Sequence, residues 1–302
     1  MRKIKIIDDI TKDGQVTFGD GYAFVEDAAA ADAILMRSTD LHGYELPASI
    51  RAIARCGAGV NNIPVDEYAR RGVVVFNSPG ANANAVKEMV LCMMVLASRG
   101  VVQSMAWVRE HASDPDILTN AEHVKKAFVG HELRDKRVGV IGLGNVGSKV
   151  ANACVYLGMD VYGYDPFISV EHAWELSRDV QRVGTLEDLC RNCDYLTLHV
   201  PSKADTLHMI GEEQLALLAP GAVLINFARE SVIDEDAVDA ALHAGQLSWF
   251  ATDFATPKPC SCPTRSSPRT LAPARRKPRR TARTWRSLNS RTTWKTATSR
   301  IP

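Results

Sequence analysis

Val138-Gly139-Val140-Ile141-Gly142-Leu143-Gly144-Asn145-Val146-Gly147 is the stretch that decides the fold of this chain. It is an apolar run of strand character that ends in G-x-G-x-x-G. An amphipathic run to Leu157 follows, then a second apolar run, Val161 to Tyr164, that stops at Asp165. Strand, glycine turn, helix, strand and acid in this order form the dinucleotide-binding fingerprint. Gly142 permits the tight turn, Gly144 lets backbone approach a pyrophosphate, and Gly147 lets the helix lie close on the strand. With Asn145 and Val146 these residues open the helix, whose N-terminal N–H groups and dipole favour phosphate. A carboxylate at Asp165 accepts hydrogen bonds from ribose hydroxyls and repels a 2′-phosphate, so the expected cofactor is NAD rather than NADP.

The pattern continues on both sides. Upstream, candidate strands at Ile4–Ile7, Ala33–Met36, Ala52–Arg55 and Val73–Phe76 alternate with helical or turn segments such as Pro64 to Arg71. A long helix is expected over Asn84–Ser98. Downstream, Tyr195–Val200, Val223–Asn226 and Trp249–Asp253 read as strands, and Leu186–Cys190, Glu213–Leu218 and Asp234–His243 as helices. This predicts an α/β chain of two doubly wound parallel-sheet domains, a Rossmann nucleotide domain and a flavodoxin-like substrate domain. The expected domains are 1–98 for substrate and 99–257 for nucleotide, divided near Arg99. In such sheets ligands sit at the carboxyl ends of strands. That makes His199-Val200-Pro201, Phe227-Ala228-Arg229 and Asp253-Phe254 candidate site segments. Arg229 is the first choice among them, because its planar fork suits a carboxylate or 2-oxo group. The alternative for Arg229 is an ion pair with Glu230 or Glu235.

Composition narrows the class further. No apolar run reaches membrane length, since Met89–Ala97 is bounded by Glu88 and Arg99. Met1–Asp8 reads as a first strand rather than a leader. Seven scattered cysteines, with Cys190-x-x-Cys193 lacking a second pair, point to reduced thiols in a cytoplasmic protein without a metal site. The net charge of +1 conceals an asymmetry: residues 258–302 hold 13 Lys and Arg and no acid, leaving residues 1–257 at −12. An acidic body joined to a basic, Pro/Ser/Thr/Arg-rich tail calls for an explanation.

Several stretches together carry a resemblance. They are Arg55-Cys56-Gly57-Ala58-Gly59-Val60-Asn61-Asn62-Ile63, Asn77-Ser78-Pro79-Gly80-Ala81-Asn82-Ala83-Asn84, the fingerprint, Gly163-Tyr164-Asp165-Pro166, His199-Val200-Pro201 and Asn226-Phe227-Ala228-Arg229. Over about residues 3–256 the chain resembles the D-2-hydroxyacid dehydrogenases. The resemblance implies an NAD-dependent oxidoreductase. Its implied reaction, within the family, is oxidation of D-3-phosphoglycerate to 3-phosphohydroxypyruvate on the route to serine. It implies that Arg229 holds the substrate and that Asp253 lies near the nicotinamide carboxamide, although Asp253 could also cap the segment after it. The backbone of Gly57, Ala58 and Gly59 resembles a loop that cradles the substrate carboxylate. Arg37, Arg55 and Asn82 match positions near the substrate, where a cation suits a phosphate; Arg37 could equally be a solvated strand end. His199 is expected to be structural. The implied partner is a small 2-hydroxy acid, phosphorylated, and the implied assembly is a homodimer through the nucleotide domain. Two alternatives stand beside this: another 2-hydroxyacid dehydrogenase of the glycerate, lactate or glyoxylate type, or a non-catalytic NAD-binding protein.

One part of the family pattern is missing. Hydride transfer from a hydroxy acid needs a base for the hydroxyl proton. The resemblance implies a histidine in Pro-His-Leu-Gly-Ala-Ser-Thr, paired with a glutamate about 29 residues after the arginine. The glutamate's register holds Lys258, the histidine's register holds Thr270, and His243 is the last histidine in the chain. The tail gives a reason. If each tail codon lends its first two bases to the end of a codon in the neighbouring frame, residues 269–283 can read Pro-His-Leu-Gly-Ala-Ser-Thr-Ala-Glu-Ala-Glu-Glu-Asn-Cys-Ala. Residues 289–299 can likewise read Gln-Leu-Lys-Asp-Tyr-Leu-Glu-Asn-Gly-Asn-Ile. A one-base frameshift near Pro257 is therefore expected, with 258–302 an aberrant, disordered tail. A basic arm for nucleic acid is disfavoured, because it leaves the frame match unexplained.

Overall fold

The structure is a computed structural model that describes residues 1–8, 10, 18–191 and 193–254, and the backbone of 269–271. Its chain divides into two compact units, one covering Met1–Ala85 and the other beginning at Val86.

In the first unit, β1 (Arg2–Ile6), β2 (Tyr22–Val25), β3 (Ala33–Met36), β4 (Ala52–Arg55) and β5 (Val74–Phe76) form one parallel sheet. Its order is β2-β1-β3-β4-β5, the flavodoxin-like order. All four residues of β3 are buried, as expected for a central parallel strand. Ile34, Met36, Leu41, Ile50, Ile53 and Val73 pack with Tyr68 of α1 (Val65–Arg70). The buried Tyr68 hydroxyl donates to the Leu41 carbonyl at 3.0 Å, so the core carries its polar atom satisfied.

The second unit begins inside helix α2 (Ala83–Ser98). The expected division near Arg99 lies at the far end of that helix; Val86, Val90, Met93 and Met94 already pack in the second unit's core. The chain then forms α3 (Val101–Glu110) and α4 (Ile117–Val124), an excursion with no buried residue in either helix. Its two ends cross closely. A Cβ on Gly130 would stand 1.9 Å from the Ser98 carbonyl oxygen, and one on Gly100 would stand 3.0 Å from the Phe128 backbone.

From there the nucleotide fold is built in order: β6 (Arg137–Ile141), α5 (Gly147–Tyr156), β7 (Asp160–Tyr164), α6 (Val170–Glu175), β8 (Gln181–Arg182), α7 (Leu186–Cys190), β9 (Tyr195–Leu198), α8 (Glu212–Ala216), β10 (Ala222–Asn226), α9 (Glu235–His243) and β11 (Leu247–Thr252). The sheet order β11-β10-β9-β6-β7-β8 is the doubly wound Rossmann order. Side chains alternate between two apolar layers. Val138, Val140, Val223, Ile225, Trp249 and Ala251 face one core with α2 and α5. Ile141, Leu196, Leu198, Leu224 and Phe250 face the other with α7, α8 and α9. Both layers are buried and apolar, which explains the near-continuous apolar strand sequences.

Cys154, Cys190 and Cys193 lie in these cores, where burial pushes each thiol up to about 12. Cys193 donates to the Leu189 carbonyl at 2.8 Å, so Cys-x-x-Cys is a packing element. Among the described residues no single helix is long and apolar enough to cross a membrane, and no group of His, Cys, Asp or Glu is placed to hold a metal.

The expectation that 258–302 is disordered needs one correction. The backbone of 269–271 is a strand, β12 (Arg269–Leu271), parallel to β11. Pairing along the outer edge of β11 is made by backbone groups, so it tolerates almost any side chain. Lys258 and the rest of the tail lie outside the described residues.

Candidate functional site

In the second unit the carboxyl ends of β7, β6, β9, β10 and β11 stand side by side. They deliver Asp165, Gly142, Val200, Phe227–Arg229 and Asp253 to one edge of the sheet.

The glycine turn is shaped by what it excludes. Gly142 has φ of +83°, and a Cβ there would meet Val200 Cγ1 at 2.9 Å and the His199 carbonyl carbon at 3.0 Å. A Cβ on Gly147, the first residue of α5, would stand 1.8 Å from the Gly142 carbonyl oxygen. Gly144 differs: its Cβ position meets nothing within 4 Å, so the backbone presents a bare surface. Val146 caps α5 without a side-chain hydrogen bond, so no side chain competes for the helix N-terminus. Asp165 accepts from the backbone N–H of Leu143 at 2.8 Å and of Phe167 at 2.9 Å. The carboxylate is thereby fixed beside the turn, with lone pairs left for a ribose. These residues fit NAD: an open Cβ-free cradle for pyrophosphate next to an anchored acid.

Arg229 leaves β10 in extended conformation, half-buried. Asn226, fully buried, braces the turn: its amide donates to the Arg229 carbonyl at 2.8 Å and accepts from the Ala228 N–H at 3.1 Å. The Arg229 guanidinium donates to the Ala228 carbonyl at 2.6 Å through Nη1. Phe227 and Ala228 are buried behind it. Asp253 is half-buried one residue past β11. His199 hydrogen-bonds Thr197 Oγ1 through Nε2 at 3.0 Å. His243 ends α9 four residues before β11 starts, at the amino edge, and so stands apart from the candidate site.

The first unit gathers its candidates at the carboxyl ends of β1, β3, β4 and β5. Asp8 accepts from the backbone N–H of Arg37, from that of Ser38 at 2.8 Å, and from the Thr39 hydroxyl at 2.8 Å. Burial alone would raise its pKa; the hydrogen bonds from Arg37, Thr39 and Ser38 outweigh this and hold it below the ordinary carboxylate value. Burial lowers the Arg37 pKa against the opposing pull of Asp8 and Cys56. Arg55 folds onto the glycine loop: its Nη1 lies 2.6 Å from where a Gly57 Cβ would stand. Ser78 N–H donates to the Gly57 carbonyl at 2.9 Å and the Asn77 amide to the Ala58 carbonyl at 2.7 Å, which ties Gly57–Gly59 to the strand-end loop before Asn82. Asn62 holds the Thr39 carbonyl at 2.7 Å.

Asp8, Asn62, Asn77, Ser78 and Asn226 escaped notice as site builders. Four of them lie inside or beside the quoted motifs, and Asp8 directly follows a strand, which is the signal that could have found it. Replacing Asp8 by Asn is expected to cost about 1 kcal/mol at pH 7, after allowing for solvent screening of a half-exposed carboxylate. Because the folded pKa is depressed, this stabilisation is present above the unfolded carboxyl value of about 3.9 and is lost as pH falls through the folded one. Urea midpoints of wild type and Asp8→Asn should differ at pH 7 and draw together as pH falls below the ordinary carboxyl range; equal midpoints at pH 7 would refute the anchoring role.

The comparisons agree with this geometry. Residues 91–273 match the model of the D-isomer specific 2-hydroxyacid dehydrogenase NAD binding domain. D-3-phosphoglycerate dehydrogenase of Methanocaldococcus jannaschii is 34% identical over 262 residues, covering 85% of this chain and 47% of that protein. The Mycobacterium tuberculosis enzyme of the same name is 32% identical over 234 residues, covering 76% and 42%. The chain thus spans about half the length of the curated relatives it matches. NAD+-bound 3-phosphoglycerate dehydrogenase of Entamoeba histolytica superposes with a TM-score of 0.67 at 26% identity, covering 85% and 82% of the two chains. Apo D-mandelate dehydrogenase of Rhodotorula graminis gives 0.70 at 26%, covering 85% and 83%. The fingerprint, the sheet order and a family match over more than half its residues make this chain a member of the D-isomer specific 2-hydroxyacid dehydrogenases, with that family's NAD-binding domain.

Proposed function

We propose that the ancestral activity of this chain is NAD-dependent oxidation of D-3-phosphoglycerate to 3-phosphohydroxypyruvate, impaired in the present sequence. The observation that carries the reading is the single sheet edge on which the Gly142–Gly147 turn, Asp165 and Arg229 converge. NAD+, when bound, supplies the electron acceptor for oxidation at C2. The chain's residues do the rest. Arg229 grips the carboxylate and polarises the developing 2-oxo group with a fixed fork of donors. The first unit, taken by itself, carries the Ala58–Gly59 backbone and the cations of Arg37 and Arg55, a set that suits an anionic group. The proton on the C2 hydroxyl lacks its family base, because the sequence holds no histidine after His243. That same observation favours a second reading, a protein that binds NAD without turning it over.

NADH formation tests the substrate. D-3-phosphoglycerate should be preferred over D-glycerate, D-lactate and glycolate, and a preference for any unphosphorylated acid would overturn the phosphate assignment. Arg229→Lys should lower kcat/KM by about 10²-fold, since an ammonium cannot reproduce a bidentate fork. An unchanged value would remove Arg229 from the site. The reading includes a homodimer through the nucleotide domain. It is supported by Val101, Val102, Met105 and Val108, which lie along one side of α3 and stay 37–51% exposed.

A further inference from the structure

We infer that His199 is a positioning residue for the pyrophosphate turn, a wedge between the end of β6 and the start of α5. The inference rests on the dinucleotide-binding reading of this edge. Four contacts carry it. The His199 N–H donates to the Ile141 carbonyl at 2.8 Å, which fixes the residue immediately before Gly142. Its own carbonyl carbon and oxygen lie 3.0 Å from where a Gly142 Cβ would stand. Its Cβ lies 3.5 Å from the corresponding point on Gly147, the first residue of α5. Its Nε2 reaches back to the Thr197 hydroxyl at 3.0 Å. Thr197 is fully buried in the middle of the sheet, paired with Val140 of β6 and Ile225 of β10.

The geometry sets the backbone and Cβ of one residue against both outer glycines of the fingerprint while its ring is hydrogen-bonded to a buried hydroxyl. Residues 197 and 199 share a face of β9 because strand side chains repeat every second position. That face is the one on which α5 begins. The imidazole therefore anchors to the central strand the residue whose backbone and Cβ face the two positions that set the turn. Alanine at 199 keeps the backbone and Cβ that face Gly142 and Gly147 but removes the ring, so those contacts lose their anchor on Thr197 and Thr197 loses a partner. The turn then samples geometries whose N–H groups no longer converge on phosphate, and the affinity cost falls on NAD rather than on the substrate.

The full-length chain, as it exists, serves for the test, with NAD+ dissociation constants read from ligand-induced fluorescence change and melting followed in parallel. His199→Ala should bind NAD+ about tenfold more weakly, the scale of one lost hydrogen bond to a buried group. His199→Gln, whose terminal amide reaches about as far as Nε2, should recover most of that loss. Thr197→Val should weaken NAD+ by a smaller factor and should make the loss at His199→Gln no better than at His199→Ala. Affinity unchanged in His199→Ala would overturn the inference. So would an equal loss in the Ala and Gln variants of the otherwise wild-type chain that follows their melting temperatures, since that describes a fold defect alone. A wild-type chain that fails to bind NAD+ would overturn the cofactor reading itself, and with it this one.

Discussion

Shifting the reading frame by one base near codon 257 should raise turnover of D-3-phosphoglycerate by about 10²–10⁴-fold, the range a positioned general base contributes. In the shifted frame, Thr270 gives way to histidine within Pro-His-Leu-Gly-Ala-Ser-Thr, and the codon of Lys258 can read glutamate. The fold is ready to receive the change. The backbone of β12 pairs with β11, Ala251 opposite Thr270 and Thr252 opposite Leu271. The histidine's register thus stands in the nucleotide sheet two pairs short of the level of Asp253, close to the carboxyl edge that holds Arg229. The proper comparison is kcat of the two purified chains at saturating NAD+, with NAD+ affinity measured alongside. A gain in kcat at unchanged NAD+ affinity identifies the lost acid/base group. A shifted chain that binds NAD+ and stays inert would favour the reading in which this protein binds nucleotide without turnover.

Gly147→Ala should abolish cofactor binding, with a loss of about 10²-fold or more for a displacement of roughly 1 Å at the turn. The added Cβ would lie 1.8 Å from the Gly142 carbonyl oxygen, and backbone stands on both sides of the clash. No rotamer relieves it, so α5 must back away from β6. Val150, Ala151 and Cys154 on that helix are fully buried, and their packing resists the movement. Gly144→Ala is the informative partner. Its Cβ meets nothing in the protein, so that variant should keep its stability and lose NAD+ affinity through obstruction of the ligand alone. Melting temperature and NAD+ dissociation constant, measured on both variants, separate the two mechanisms. Normal NAD+ affinity in Gly147→Ala would refute the tight turn.

The nucleotide fold was legible because its evidence is local. Gly142, Gly144 and Gly147 sit within six residues, and the flanking strands are apolar on both faces, so pattern and position coincide. Strands β3 and β4 and helix α7 fall on their expected residues, and most other ends move by one or two, as strand and helix ends commonly do. What stayed hidden has physical reasons. Tyr22–Val25 and Gln181–Arg182 are short edge strands, only half-buried or exposed, and carry little apolar signal. α3 and α4 have no buried residue, so they join neither core and the sheet alternation does not call for them. The division between units falls inside α2 because one continuous helix serves the second core from its fourth residue, and a continuous helix has no punctuation to read. Arg229 and Asp8 both stand after strands and could be marked from that place, but the role of Asp8 could not be read, since its three backbone partners lie 29 to 31 residues away and only the fold brings them together.

The buried thiols give the second unit a built-in clock. Cys154, Cys190 and Cys193 are screened from solvent and stay protonated far above neutrality, so an alkylating reagent reaches them only while the nucleotide fold is open. Exposed Cys92 labels at once, and half-buried Cys56 reports on the first unit. The slow phase of alkylation therefore counts openings of one domain against the other, and its retardation by added NAD+ reads out cofactor affinity in a chain that need not turn over at all.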